Sequence, residues 1–188
     1  MRLSFLAVSW LLLCVPPAVA ATPASQDGPA VIVSPHPVPH DDRLKIFLAG
    51  SIDMGGSEDW QAKAIAKLAG PGVLLLNPRR ADWNPAWKPD AAEPEFRRQV
   101  EWELQALEQA DLILMYFAPG SQSPVTLLEF GLHAREGKLR VAAPAGFWRK
   151  GNVDITAEHY GVPRHETLDD LLDALVREIA ARRPAPSP

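Results

Sequence analysis

"DLILMYFAPGSQSPVTLLEF", residues 111–130, joins a continuous apolar run to a helical pattern across a short polar loop. The run up to Phe117 shows no alternation of polar and apolar residues, which is typical of a strand buried on both faces of a sheet. Ser123 is a residue type that caps helices, and Pro124 suits the first helical position. One set of apolar residues recurs at helical spacing and predicts a buried helix face: Val125, Leu128 and Leu132.

The rest of the chain repeats this alternation of short apolar strands and helices. Strands are predicted at 44–50, 72–77, 111–117 and 138–144, with a short strand in 161–165. Helices are predicted at 58–69, 95–110, 123–138 and 168–181, and the stretch after residue 144 is predicted to be irregular. The pattern indicates an α/β fold with a doubly wound parallel sheet and helices on both faces.

The two ends of the chain are predicted to lie outside this domain. Residues 1–20 carry one arginine, an apolar run and the sequence Ala18-Val19-Ala20, which together indicate a signal peptide and a secreted or periplasmic protein. The apolar run is too short to favour a membrane span, so we expect no stable membrane anchoring after cleavage. Residues 21–43 read as a Pro-rich linker in which "AVIV", 30–33, can add an edge strand. The domain is placed at 44–183 and a loose tail at 184–188.

Charge and cysteine content exclude several kinds of function. The full chain has a net charge of −4, which becomes −5 when the signal peptide removes Arg2. An acidic chain without a basic stripe argues against a nucleic-acid polymer as ligand. Cys14 is the only cysteine, and it lies in the signal peptide. We therefore expect no disulfide and no thiol nucleophile in the mature protein, and we find no credible set of metal ligands and no cofactor motif.

Two glutamates stand where apolar residues would be expected. Glu103 falls about −20° from Phe96 on a helical projection, inside the stripe that Val100, Leu104 and Leu107 define. Glu129 lies early in the helix after the third strand, near the sheet edge where ligands bind in such folds. If both carboxylates reach one cleft, they suit cleavage of a glycosidic bond. The alternatives are an ion pair of Glu103 with an arginine and a solvent-facing position for Glu129.

The loops at the same sheet edge supply candidate binding residues. Trp83 can stack on a planar base or pack on the core. Arg79, like Arg80, can hold a phosphate or pair with a nearby acid such as Asp82. Asp53 can bind a ribose hydroxyl or cap the turn that follows it.

Six segments in this order resemble the nucleoside 2-deoxyribosyltransferase superfamily, in its nucleoside 2-deoxyribosyltransferase-like branch. They are "IFLAGSID" (46–53), "LLLNPRRADW" (74–83), "QVEWEL" (99–104), "ADLILMYF" (110–117), "SPVTLLEFG" (123–131) and "KGNVDI" (150–155). The resemblance implies a flavodoxin-like, Rossmann-like sheet of five parallel strands and a homodimer or higher homo-oligomer. It also implies cleavage of the N-glycosidic bond of 2′-deoxynucleosides through a covalent glycosyl-enzyme, without a cofactor.

The resemblance also assigns roles to residues. It implies that Glu129 is the nucleophile, that Glu103 is the second catalytic acid, and that Asn152 reaches the sugar site of a neighbouring subunit. Gly50 and Ser51 match the loop that lines the sugar pocket.

Two positions depart from the transferases. The first strand lacks their tyrosine, and Ser123 stands where they often have an aspartate, as in the related deoxynucleotide N-hydrolases. These departures bear on whether a base or water accepts the sugar.

Two other functions fit the same sequence. One is a secreted N-glycosidase that acts on nucleotides or on NAD-like molecules. The other is a nucleotide-binding module without catalysis, which keeps the pocket but not the turnover. A small nucleoside or nucleotide is the expected partner in all three cases.

Overall fold

A six-stranded parallel sheet forms the centre of the computed structural model, which describes residues 30–52 and 59–182. The strands are β1 (Val31–Val33), β2 (Leu44–Gly50), β3 (Val73–Asn77), β4 (Leu112–Tyr116), β5 (Leu139–Ala142) and β6 (Arg164–His165). Their order across the sheet is β1-β3-β2-β4-β5-β6. Without the edge strand β1, this is the flavodoxin-like order, in which ligands bind where the order reverses, here between β2 and β4. The predicted α/β doubly wound fold is confirmed, but the sheet has six strands where five were predicted, because β1 adds an edge strand.

Within residues 30–52 and 59–182, five helices cover the two faces of the sheet. They are α1 (Trp60–Leu68), α2 (Pro94–Gln109), α3 (Pro124–His133), α4 (Lys150–Tyr160) and α5 (Leu168–Arg182). Helices α2, α3 and α4 pack on one face through a core that includes Trp102, Phe130 and Val153. Helices α1 and α5 pack on the other face through Trp60 and Leu172, among others. No helix within 30–52 or 59–182 has the length and apolar character needed to cross a bilayer.

The segment predicted as a linker is part of the domain where the structure describes it. Residues 31–33 pair with β3 in register Val31↔Leu75, so the edge strand suggested by "AVIV" is present. Beyond it, Ser34 and His36 contact α2, where Trp102 Nε1 donates a hydrogen bond to His36 O at 2.7 Å. We call residues 30–42 the N-terminal arm. The predicted linker boundary at residue 43 was therefore wrong for this part of the chain.

The stretch after β5 that was predicted to be irregular contains helix α4. Its sequence, "KGNVDITAEHY", has a glycine near its start and β-branched residues, which favour helices weakly. Only Val153 and Ala157 of this helix are buried. With so narrow a buried face, the apolar periodicity is too weak to indicate a helix.

Two helix faces also differ from the prediction. In α2 the stripe is rotated, because Trp102 and Ala106 are buried while Leu104 is 46% exposed. In α3 the set predicted to be buried faces outward: Val125, Leu128 and Leu132 are all more than half exposed. The buried face of α3 carries Phe130 and three polar or charged residues: Thr126, Glu129 and His133.

Candidate active site

A pocket of about 560 Å³ lies between α2 and α3, above the carboxyl end of β2. Its volume is in the range of small-molecule sites in proteins. Helix α2 contributes Phe96, Gln99, Val100 and Glu103, and helix α3 contributes Thr126 and Glu129 among others. The pocket therefore occupies the place where doubly wound sheets bind ligands, next to the reversal of strand order.

The end of β2 forms the floor of the pocket, and it depends on a glycine. Gly50 has φ 152°, and a side chain there would overlap Tyr116 O and lie 2.7 Å from Trp60 Cζ2. The next residue, Ser51, is buried, and its backbone N–H donates to Tyr116 O at 3.1 Å. Trp60 Nε1 in turn donates to Ser51 O at 2.9 Å. Close packing of β2 against β4 thus fixes the Ser51 side chain at the pocket.

Three serine hydroxyls form a buried ring beside this floor. Ser51 Oγ lies 2.5 Å from Ser123 Oγ and 2.8 Å from Ser121 Oγ, and the last two are 2.8 Å apart. Ala118 N–H donates to Ser51 Oγ, and Ser121 Oγ donates to Ala118 O. The ring therefore links the ends of β2 and β4 to the start of α3.

Membership of this ring explains why Ser123 does not cap α3 as predicted. Ser123 occupies the N-cap position, but its side chain makes no capping hydrogen bond. Its backbone is left-handed, with φ 44° and ψ 50°, which is unfavourable for a residue with a Cβ. Such strain persists only where surrounding contacts impose it, and it is concentrated at functional sites.

Glu129 and Glu103 both line the pocket, on facing helices. Glu129 is 9% exposed, and Glu103 is partly buried. Neither forms an ion pair with a residue in the described part of the chain, so the suggested pairing of Glu103 with Arg79 or Arg80 is not seen. Burial, together with the negative charge of Glu103, raises the pKa of Glu129 to about 8. Burial also raises the pKa of Glu103, against a smaller lowering by a hydrogen bond from Gln99.

Sequence reasoning did not single out Gln99, although it contacts Glu103 directly. Gln99 Nε2 donates to Glu103 Oε1 at 2.8 Å, from one turn earlier on α2. The signal that could have found it is its spacing, because residues four apart on a helix share a face. A second signal is burial of the helix face that carries Trp102, which the predicted stripe missed.

The loop after β3 contributes charged and aromatic side chains to the pocket. The Arg80 guanidinium already contacts protein groups. It donates to Asp82 at 2.9 Å, pairs with Glu95 at 3.4 Å, and lies over the Trp87 ring. Arg79 lines the pocket with looser contacts, 3.8 Å to Asp59 and 3.4 Å to Gln61 Oε1. Trp83 also lines the pocket, half-buried, and its ring lies edge-on to Trp87 at 5.1 Å.

The structure therefore brings together seven of the nine predicted site residues. They are Gly50, Ser51, Arg79, Trp83, Glu103, Ser123 and Glu129. Asp53 lies outside the described residues. Asn152 is exposed on α4 and is not among the residues that line this pocket.

Comparisons with known proteins give a family and a similar fold for this chain. A family model described as "Nucleoside 2-deoxyribosyltransferase like" matches residues 43–147, more than half of the chain. Among solved structures, a conserved protein from Enterococcus faecalis V583 is similar with a TM-score of 0.52 and 12% sequence identity, over 72% of this chain and 99% of that chain. At this identity the likeness concerns the fold alone. The comparison with curated proteins gives no match.

Proposed function

The chain belongs to the nucleoside 2-deoxyribosyltransferase-like family, and from this premise we propose that it cleaves the N-glycosidic bond of 2′-deoxynucleosides. The observation that carries the proposal is the pair Glu103 and Glu129. Two carboxylates line one pocket, and no cation neutralises either of them among the described residues. A site with this composition suits a reaction in which positive charge develops on a sugar carbon.

The proposed reaction is a double displacement. The Glu129 carboxylate forms a bond to C1′ of the sugar while the bond from C1′ to the base nitrogen breaks. The base leaves with that electron pair and takes a proton from Glu103. In the second half, water or another base attacks C1′ and releases Glu129, while Glu103 takes back a proton. Acceptance of water gives a hydrolase, and acceptance of a base gives a transferase.

The floor and the loop provide the proposed binding contacts. Gly50, Ser51 and Ser123 line the pocket; Gly50 would allow close approach of the sugar, and the two serine hydroxyls would bind it. Trp83 offers a face for stacking of the base.

Arg79 favours a second candidate substrate, a 5′-nucleotide in place of a nucleoside. It is a charged side chain on the pocket whose contacts with protein groups are longer than a good ion pair. A phosphate would give the guanidinium a bidentate partner.

The test combines product analysis with capture of the intermediate. The wild-type chain is incubated separately with 2′-deoxynucleosides, their 5′-phosphates and NAD, and free base is measured by chromatography. A 2-fluoro-arabinosyl nucleoside should leave its sugar on Glu129, detected by peptide mass spectrometry. Release of base from nucleotides alone would favour the second candidate. Absence of both base release and adduct would contradict the proposal and favour a binding module.

We also propose that the active form is a homodimer or a higher oligomer. Val125 lies on the rim of the pocket, and the exposed apolar face of α3 continues from it through Leu128 and Leu132. Burial of such a face between copies of the chain would stabilise an assembly. Asn152, exposed on α4, is available to a neighbouring subunit.

Export of the protein is a further part of the proposal. Residues 1–20 lie outside the described part of the chain, and their composition supports a cleaved signal peptide. Intact mass of the protein recovered from the periplasm or medium should show a chain that begins at Ala21. A mass that includes residue 1 would contradict it.

A further inference from the structure

We propose that Gln99, held in place by Ser34 of the N-terminal arm, is a positioning residue that orients the catalytic proton of Glu103. This inference rests on the proposed function, because it assumes that Glu103 protonates the leaving base. It goes beyond the family match, because Ser34 lies before the matched range of 43–147.

The hydrogen bonds of Gln99 determine which way its amide faces. Nε2 lies 2.9 Å from Pro78 O and 2.8 Å from Glu103 Oε1. A peptide carbonyl only accepts hydrogen bonds, so the group beside it must be the NH₂ of the amide. The amide oxygen accepts a hydrogen bond from Ser34 Oγ at 2.6 Å. The bonds of Gln99 to Ser34 and to Pro78 are buried, and its bond to Glu103 is partly buried at the pocket wall.

This orientation constrains the proton of Glu103. Both hydrogens of the amide are used, and the amide nitrogen cannot accept, so Glu103 Oε1 must be the acceptor. In a neutral carboxylic acid the carbonyl oxygen is the stronger acceptor, so acceptance at Oε1 favours placement of the Glu103 proton on Oε2. Glu103 lines the pocket, and Oε2 makes no hydrogen bond with the described residues. The acid proton is thus kept on the oxygen that is free to meet a ligand.

The same hydrogen bond assists loss of that proton. An N–H bond to a carboxylate is stronger than one to a neutral acid, so the interaction strengthens as the proton moves to the base. In agreement, this bond lowers the pKa of Glu103 against the effect of burial. The other titratable or charged side chains on the pocket are Glu129, which faces Glu103 from α3, and the two guanidinium groups of Arg79 and Arg80.

The arm supplies the fixed end of this chain of hydrogen bonds. Ser34 N–H donates to Asn77 O at 3.0 Å, which continues the pairing of β1 with β3. Trp102 Nε1 holds the arm a second time through His36 O. The pairing of the arm with the sheet therefore fixes the position of the Ser34 hydroxyl. The hydrogen bond from this hydroxyl in turn holds the Gln99 amide.

The experiment compares two substrates that differ in their need for an acid. 2′-Deoxyguanosine must be protonated as its base leaves, whereas 7-methyl-2′-deoxyguanosine carries its positive charge already. The full chain is assayed as wild type, Gln99→Met and Ser34→Ala. The matched control is Gln105→Met, which changes an exposed glutamine on the same helix. kcat and KM are measured for both substrates from about pH 5 to about pH 9.

We expect Gln99→Met to lower kcat for 2′-deoxyguanosine on the order of tenfold, with a smaller change in KM. For the methylated substrate kcat should change by less than about twofold, because no proton is needed. The alkaline limb of the profile for 2′-deoxyguanosine should move to higher pH, since Glu103 loses a bond that favours its ionised form. Ser34→Ala should change the same quantities in the same direction and less.

The ratio of the two rates is taken within one preparation, so partial misfolding of a variant does not alter it. Equal losses on both substrates, or an unmoved alkaline limb, would overturn the role of Gln99 and leave it a structural residue. Failure of the wild type to release base from any deoxynucleoside would instead remove the proposed function on which this inference rests.

Discussion

Glu129 owes its expected reactivity to burial without an ion-pair partner among the described residues. It lies on the buried face of α3, and Glu103 is the charged group that shifts its titration. Because like charges in a partly dry pocket resist a second ionisation, the two carboxylates share one proton over a range of pH, and their apparent pKa values belong to the pair. The proposed reaction needs this singly protonated pair, with the charge on Glu129 and the proton on Glu103.

The first prediction concerns the pH dependence of catalysis. kcat/KM for a 2′-deoxynucleoside should follow a bell-shaped profile whose alkaline limb lies near the pKa of about 8, where the shared proton is lost. Glu103→Gln should lower kcat by roughly a hundredfold or more. It should also abolish the alkaline limb, since only ionisation of Glu129 then remains. Steady-state kinetics across pH checks both, with Glu108→Gln on the same helix as control. An alkaline limb that survives in Glu103→Gln would contradict the shared proton.

The second prediction concerns stability. The pKa of Glu129 is raised from 4.5 to about 8 in the folded chain, so between these values the folded state binds a proton that the unfolded state has lost. Stability must then fall as pH rises through this window. Glu129→Gln should weaken this dependence of the free energy of unfolding on pH. The variant should be more stable than wild type at pH 8, by at least about 1 kcal/mol. Urea unfolding at pH 5 and pH 8 measures it. An equal change in unfolding free energy between the two pH values in wild type and variant would contradict the prediction.

At the scale of the element, strands were easier to predict than helix faces. Strands β2, β3 and β4 are buried on both sides of the sheet. Their continuous apolar sequences therefore predict strands from local sequence alone. The faces of α2 and α3 depend on tertiary contacts instead. Trp102 takes the buried side of α2 because its ring meets Phe47 at 6.2 Å and its N–H meets His36 O. A sequence contains the arm and the helix separately, and only the fold brings them into contact.

The candidate site shows the same division. Glu103 and Glu129 were identified because carboxylates in apolar patterns are costly and therefore conspicuous. Gln99 and Ser34 are uncharged and lie 65 residues apart in the sequence, so no local pattern marks the hydrogen bond between them.

The third prediction tests the junction of β2 with β4. Gly50→Ala should reduce the free energy of unfolding by roughly 2 kcal/mol or more, because the added Cβ would overlap Tyr116 O and press on Trp60. Gly120→Ala is the matched control. Gly120 also has positive φ, 76°, but its Cβ would meet no atom within 4 Å, so it should cost only about 1 kcal/mol. Chemical denaturation of both variants separates steric overlap from backbone strain. Equal losses of unfolding free energy in the two variants would contradict the prediction, because they would mean that the neighbours of Gly50 move to relieve the overlap.

At the scale of the whole molecule, the exposed side of α3 is the largest departure from expectation. An apolar pattern on a helix predicts burial, and Leu128 is nevertheless 64% exposed. The pattern and the structure agree if the burial occurs between molecules. The sequence then contained correct information about an apolar contact but not about its location, because periodicity does not distinguish a core from an interface.

The fourth prediction follows from the proposed assembly. Leu128→Glu should shift the protein from oligomer to monomer, since it places a charge in the centre of the apolar face. Sedimentation velocity of wild type and variant measures the change. Val176→Glu, at another exposed apolar position, on α5, is the control and should leave the assembly intact. A wild-type chain that sediments as a monomer would contradict the proposed oligomer.

The edge strand β1 has a consequence for how this protein can be shortened. It occupies one side of β3 through three register pairs from Val31 to Val33, and Leu75 N–H also bonds to Ala30 O at 2.9 Å. A chain trimmed to begin at residue 43 would leave those backbone donors and acceptors of a very apolar strand without partners. Unprotected edge strands of this kind pair edge to edge between molecules, and trimmed protein should precipitate.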